Sequence, residues 1–283
     1  MKNPKLLNFI PLLVTTPVIV IGAIAMKYNN ISTFIWGQNL ACLMLMGLIS
    51  YLILLGNVNI ARSNFNKTFI LIPVILLFLT FIGADMMGVH RWISIGPIRF
   101  NVSMIVMPIT IILLWELLEN EVWWQSVIIT FAISILLFIQ PDASQLTGFA
   151  VPMMIILCKK TDRNGLRTII IGGLSILVVL SWIYLDGLPA VSYVERILSL
   201  VTNMGQMWLI LGAISLVMLP MPFILFPPKN LKLPSICVGL YFMIIILSTF
   251  FGNFPVPLMG YGVSPIIGYI IPITWYVKSK INQ

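Results

Sequence analysis

At 283 residues the chain is 60% hydrophobic and only 8% charged, with a mean hydropathy of +1.06. That excludes a soluble globular domain and requires an all-α, polytopic membrane protein. The net charge of +8 is therefore read as loop charge around membrane spans and not as a nucleic-acid footprint.

Ten apolar segments follow one another, at residues 6–26, 33–55, 68–83, 102–118, 122–139, 143–158, 168–185, 197–226, 233–252 and 256–277. Most approach the roughly 20 residues that cross about 30 Å of hydrocarbon. The first is too long for a cleaved signal and has no small-residue cleavage site, so it reads as a span. Segment 143–158 is short and carries Gly148 and Pro152, which predicts a tilt or a break. Segment 197–226 is over-long, and Pro220 and Pro222 are expected to kink its end. Cys42, Cys158 and Cys237 all fall in apolar runs, where they read as packing residues without a disulfide framework. There is no internal repeat, no low-complexity tract and no long linker, so the expectation is one membrane domain over residues 1–283.

Loop charge sets the orientation. With the N-terminus inside, Lys2, Lys5, Arg62, Lys67, Lys159, Lys160, Arg163, Arg167, Lys229, Lys232, Lys278 and Lys280 face the cytoplasm. Only Lys27, Arg91, Arg99 and Arg196 face outward. Ten spans then place both termini inside. The acidic loop with Glu116, Glu119 and Glu121 carries little weight in that rule.

The outward stretch Gly83–Asn101, GADMMGVHRWISIGPIRFN, is polar and glycine-punctuated between two apolar runs. Its backbone cannot lie unsatisfied in hydrocarbon, so it must fold back on protein or line a wet cavity. Arg91 and Arg99 suit phosphate, because guanidinium presents a planar fork of donors. The competing reading is contact with lipid headgroups.

Asp85, Asp142, Asp186 and Glu195 lie on the same side as these arginines and Arg196. Ionisable groups this close to a membrane point to a pathway or a reaction, here a shared cavity. A carboxylate there could take a proton from a sugar hydroxyl while arginines hold a leaving diphosphate. Each has a structural alternative. Asp142 could cap the next helix, Asp186 could close a helix end, and Asp85 could staple Arg91. Glu195 with Arg196 could favour a helix N-terminus. His90 is the only histidine, and alone it reads as a hydrogen-bonded loop residue and not a zinc ligand. The stretch Phe254–Gly268, FPVPLMGYGVSPIIG, predicts irregular backbone at the outer mouth of the last span, or else a simple helix entry. A transporter ranks last, since no charged residue sits mid-span as a coupling site.

Three stretches resemble elements of one family. GVHRWISIGPIRFNVSMIVMP is similar to a "GARRWI…G…FQPSE…K" element. Gln140-Pro141-Asp142 resembles "QPD-hydrophobic-GT", and PVPLMGYGVSPIIG resembles "LPFvSYGGSS". Their order, spacing and span count agree over roughly residues 60–280. The chain thus resembles the SEDS proteins (shape, elongation, division and sporulation).

That resemblance implies a glycosyltransferase polymerising lipid II, an undecaprenyl-linked precursor, into peptidoglycan in cell division or cell-shape maintenance. It implies a multi-pass protein working at the outer face of the bacterial cytoplasmic membrane, usually with a class B penicillin-binding transpeptidase as partner. By the same resemblance His90, Arg91, Trp92, Arg99, Asp142 and Tyr261 are the expected substrate-binding residues. Glu195 is the expected general base, by counting back from Gly205 to the family's catalytic aspartate. The resemblance leaves room for a cation such as Mg²⁺ on the diphosphate, with no defined site for it.

Several departures accompany it. His90 replaces one of two arginines, the acid of "PSE" is lost near Val102 and Ser103, and Val263 follows Gly262 where the family has a second glycine. Thr202 and Asn203 replace an acidic pair, and DGLPAVSYVER replaces a long outer loop. The short loop sustains a second reading, a catalytically degenerate relative that binds lipid-linked precursor or scaffolds a cell-wall complex.

Overall fold

A computed structural model describes residues 9–56, 68–83, 85–120 and 122–282. Lys2, Lys5, Arg62, Lys67 and Glu121, which enter the orientation argument, lie outside the described residues. So does the start of the first apolar segment.

The chain is an all-helical polytopic membrane bundle. Its first pass is made of α1 (Ile10–Leu13) and α2 (Thr15–Tyr28), and the second of α3 (Thr33–Leu55). Next come α4 (Thr68–Leu79), a hairpin of β1 (Trp92–Ile95) and β2 (Ile98–Asn101), and α5 (Val102–Asn120). The passes α6 (Trp123–Ile139), α7 (Ala143–Lys159) and α8 (Asn164–Ile183) follow. The eighth pass is segmented into α9 (Ile197–Thr202), α10 (Gln206–Met218) and α11 (Met221–Leu225). The last two are α12 (Lys232–Ser248) and α13 (Val263–Ile281).

Helices form here because intrahelical bonding satisfies the backbone inside hydrocarbon. Polar side chains within spans follow the same rule. In α6, Thr130 donates to Ser126 O at 2.7 Å and Ser134 to Thr130 O at 2.8 Å, one helical turn back. Apolar side chains exposed on α3, such as Met44 and Leu45, and on α8, such as Ile169 and Ile176, form the lipid-facing belt. α5 and α13 are mostly buried and occupy the centre, where α13 packs on α3 and α5. Gly268 permits that approach. A Cβ there would sit 2.0 Å from Met104 O, so the small residue sets the helix separation.

The element boundaries correct several expectations. α7 runs unbroken through Pro152. The eighth pass breaks at Gly205 as well as at the prolines, with Gly205 at φ +112°. α13 starts at Val263 and not at 256, because Pro255 and Pro257 stand in irregular chain. Lys278, counted as a loop cation, is buried in α13. Its Nζ donates to Ile53 O at 3.3 Å, Leu54 O at 3.2 Å and Gly56 O at 2.6 Å. It thereby satisfies the open carbonyls where α3 ends.

The first and last passes meet at the lysine-rich end of the bundle, where Ile10 and Lys280 share a groove. The hairpin and the segments 184–196 and 249–262 lie together at the opposite end.

Candidate functional site

The stretch Gly83–Asn101 becomes a two-stranded antiparallel hairpin with Trp92 opposite Asn101 and Ile95 opposite Ile98. The two-residue turn Gly96-Pro97 needs φ > 0 at its first position, which Gly96 supplies at +59°. The preceding turn is closed by Asp85, whose Oδ2 accepts from Gly88 N at 2.6 Å. Asp85 therefore does not staple Arg91.

Arg91 leaves the hairpin base and is buried, with 4% exposure. Its Nε donates to Gln140 O at 3.2 Å and lies 3.4 Å from Asp142 Oδ2. Its Nη2 donates to Pro141 O and to Asp186 Oδ2. Two of its three nitrogens are thus engaged by the chain itself. A buried guanidinium between two carboxylates and two carbonyls is a satisfied network, which ties the hairpin to α7 and to the loop after α8.

Asp142 forms the helix cap offered as one reading of it, and it adds a contact with Arg91 that the sequence did not suggest. It caps α7 through Oδ1, which accepts from Gln145 N at 3.2 Å, and it faces Arg91 through Oδ2. The Ser103 hydroxyl reaches Asp142 Oδ2 at 3.3 Å and Asn101 Oδ1 at 2.7 Å. Asn101 Oδ1 also accepts from Met104 N at 3.3 Å, in the manner of a helix N-cap on α5. Asn101 N donates to Ser264 Oγ at 2.8 Å, which fastens the hairpin to the start of α13.

The irregular segment before α13 is held from both sides. Its Tyr261 N donates to Tyr193 O at 2.8 Å, and its Val256 N to Val194 O at 3.3 Å. From α3, the buried Asn39 donates to Gly260 O at 3.0 Å and accepts from Gly262 N at 3.1 Å. Tyr261 itself donates its hydroxyl to Gln38 Oε1 at 2.7 Å.

Between these segments lies a cavity of about 250 Å³. Of the expected site residues, Arg91, Trp92, Arg99, Glu195 and Tyr261 line it, joined by Asp186, Asn101, Tyr193 and Ser264. Asp142 does not line it and sits behind Arg91. Nor does His90, whose ring lies 5.6 Å from that of Phe81. Arg99 is exposed, and its one side-chain polar contact among the described residues is to the sulfur of Met86 at 3.0 Å. It has no carboxylate partner among the described residues. Glu195 is half-buried, and its Oε2 accepts from Val191 N at 2.7 Å. It folds back on its own loop and does not cap α9. Burial chiefly raises its pKa, and the nearby Asp186 charge adds to this. The hydrogen bond from Val191 and the charge of Arg91 pull the other way.

The formal charge of the lining is two arginines against Asp186 and Glu195, which is neutral when all are ionised. A protonated Glu195 would leave it at +1. Among the described residues no group of three or more His, Cys, Asp or Glu side chains converges. Asp142 and Asp186 are both engaged by Arg91. The described residues therefore do not fit a resident Mg²⁺.

No family model matches the chain, and no curated protein matches it significantly. Among solved structures, the rod shape determining protein RodA of Thermus thermophilus aligns at a TM-score of 0.65. The identity is 17%, over 95% of this chain and 95% of that one. A point variant of the same protein aligns at 0.67, with 15% identity over 95% and 96%. The chain adopts the RodA fold. In this copy of the RodA fold the cavity lies at the hairpin end, under the short connection 184–196. Its walls come from the hairpin, that connection and the entry to α13.

Sequence reasoning passed over Asn39, Gln38, Asn101 and Ser264. Adjacent polar residues inside an apolar segment, as at Gln38 and Asn39, carry a usable signal, because a polar group in a span needs a protein partner.

Proposed function

We propose that the chain is a SEDS-type peptidoglycan glycosyltransferase that polymerises lipid II at the outer face of the bacterial cytoplasmic membrane. The observation that carries this reading is the meeting of Arg99, which has no carboxylate partner among the described residues, with a half-buried carboxylate, Glu195, in one cavity of a RodA-fold bundle. Glu195 takes the proton of the acceptor hydroxyl. The hydroxyl oxygen then bonds to the anomeric carbon, and the carbon–oxygen bond to the diphosphate breaks. Undecaprenyl diphosphate departs with the electron pair, held by Arg99. A base whose pKa is raised from its ordinary value is better matched to this task near neutrality. Trp92 and Tyr261 offer apolar faces and a hydroxyl to the sugars. Arg91 is a positioning residue that fixes the hairpin. A class B penicillin-binding transpeptidase is the expected partner, in division or elongation.

The test is polymerisation of lipid II by the purified protein. Wild type should form glycan strands, and Glu195→Gln should form none while folding normally. A second reading draws on the engagement of Arg91 by two aspartates, which leaves Arg99 as the one described lining arginine without a carboxylate partner. On that reading the cavity binds the precursor without turning it over. Binding of lipid II by wild type with no polymerisation would favour it.

A further inference from the structure

A second groove, of about 390 Å³, opens at the lysine-rich end of the bundle. Its walls are apolar side chains from three places, with Ile10 and Val14 on the first pass, Met221 and Phe226 around α11, and Tyr276 on α13. The break between α10 and α11 at Pro220 makes room for it. Tyr276 closes the floor by donating its hydroxyl to Phe226 O at 2.7 Å. Among the described residues, one charged residue, Lys280, stands at the rim. It is exposed, its Nζ lies 5.6 Å from the centre of the Tyr276 ring, and it has no carboxylate partner among the described residues.

We propose that this groove binds an anionic phospholipid of the leaflet facing the lysine-rich end. An acyl segment fills the apolar channel and the phosphate sits on Lys280. Three features select this occupant. The groove opens on a membrane-spanning surface, where lipid is the standing neighbour. Its volume falls in the range of small-molecule pockets. The one cation among its described lining residues marks the end where an anionic headgroup would be paired, while a neutral helix would leave Lys280 uncompensated. The site is far from the hairpin-end cavity and independent of its chemistry.

The experiment uses the full chain in detergent, with native mass spectrometry and thermal unfolding in the presence of phosphatidylglycerol or phosphatidylcholine. Wild type should retain and be stabilised by phosphatidylglycerol over phosphatidylcholine. Lys280→Gln should lose roughly fivefold of that preference, as expected for one lysine at an anionic headgroup. Met221→Trp, which fills the groove from a partly exposed position, should weaken retention of both lipids. Lys232→Gln is the control, since Lys232 is exposed at the same end but outside the groove. Equal binding of the two lipids by wild type would overturn the proposal. So would a Lys280→Gln protein that keeps the preference, a Lys232→Gln protein that loses it equally, or a folded Met221→Trp protein with unchanged retention.

Discussion

Arg91 and Asp186 stand 95 positions apart in the chain and are joined by an ion pair at the wall of the cavity. With Asp142 behind it, the guanidinium locks three segments that have no covalent reason to meet. Removing one partner of a buried pair leaves the others uncompensated, at about 3–5 kcal/mol. Arg91→Leu should therefore lower the unfolding midpoint sharply in detergent. A midpoint unchanged from wild type would show that the network is not structural.

Arg99 predicts the opposite pattern. It is exposed and unpaired with any described carboxylate, so Arg99→Gln should shift stability by no more than about 0.5 kcal/mol. Affinity for lipid II should fall about tenfold or more, because a hydrogen bond to a charged group contributes roughly 1.5–3 kcal/mol. Microscale binding to the solubilised protein measures it, and equal affinity would remove Arg99 from the site.

Glu195 has a pKa raised chiefly by burial. Two consequences follow in pH. The base form appears only as pH climbs through the raised value, so the acid limb of polymerisation should lie at higher pH than an unshifted glutamate would give. For stability, the protonated carboxyl is favoured in the folded state below its unfolded pKa, and that contribution is lost as pH rises through the folded one. Glu195→Gln should match wild type in acid and be the more stable protein above that window. A pH series of unfolding midpoints checks the sign.

Asn39 is buried in α3 and makes two hydrogen bonds to the segment before α13. Asn39→Leu leaves Gly260 O and Gly262 N unanswered in an apolar setting, at about 1–3 kcal/mol each. Faster hydrogen exchange should appear at residues 258–263, which exchange mass spectrometry would read directly.

Gly268→Val should be the most damaging single change at a helix contact. Even the Cβ would lie 2.0 Å from Met104 O, which is backbone and cannot swing away. Loss of the monodisperse folded peak in size-exclusion chromatography is the expected result. A folded variant would mean that α5 and α13 can separate.

Much of the fold was readable from hydropathy alone. The bilayer imposes one length and one bonding rule on every span, so ten apolar runs of about the right size leave few alternatives. The capping role of Asp142 was also foreseeable, because capping is local in sequence, while its contact with Arg91 was not. The hairpin was not, since its polar, glycine-rich strands look like loop until Gly96 is seen to turn them. His90 shows the reverse limit. Its neighbour Arg91 faces the cavity wall, yet the alternation of side chains along an extended chain sends His90 to Phe81.

By itself the amino-acid order determined the membrane class, the number of passes and the end at which the polar residues would gather. It could also nominate Glu195 and the two arginines. Only the tertiary structure decided which of those arginines is spent. Arg91 is engaged by Asp142, Asp186 and two carbonyls, and Arg99 has no carboxylate partner among the described residues. Composition counts both as the same charge. What separates them is desolvation, because a buried guanidinium must be answered by the chain itself, while an exposed one can wait for a ligand.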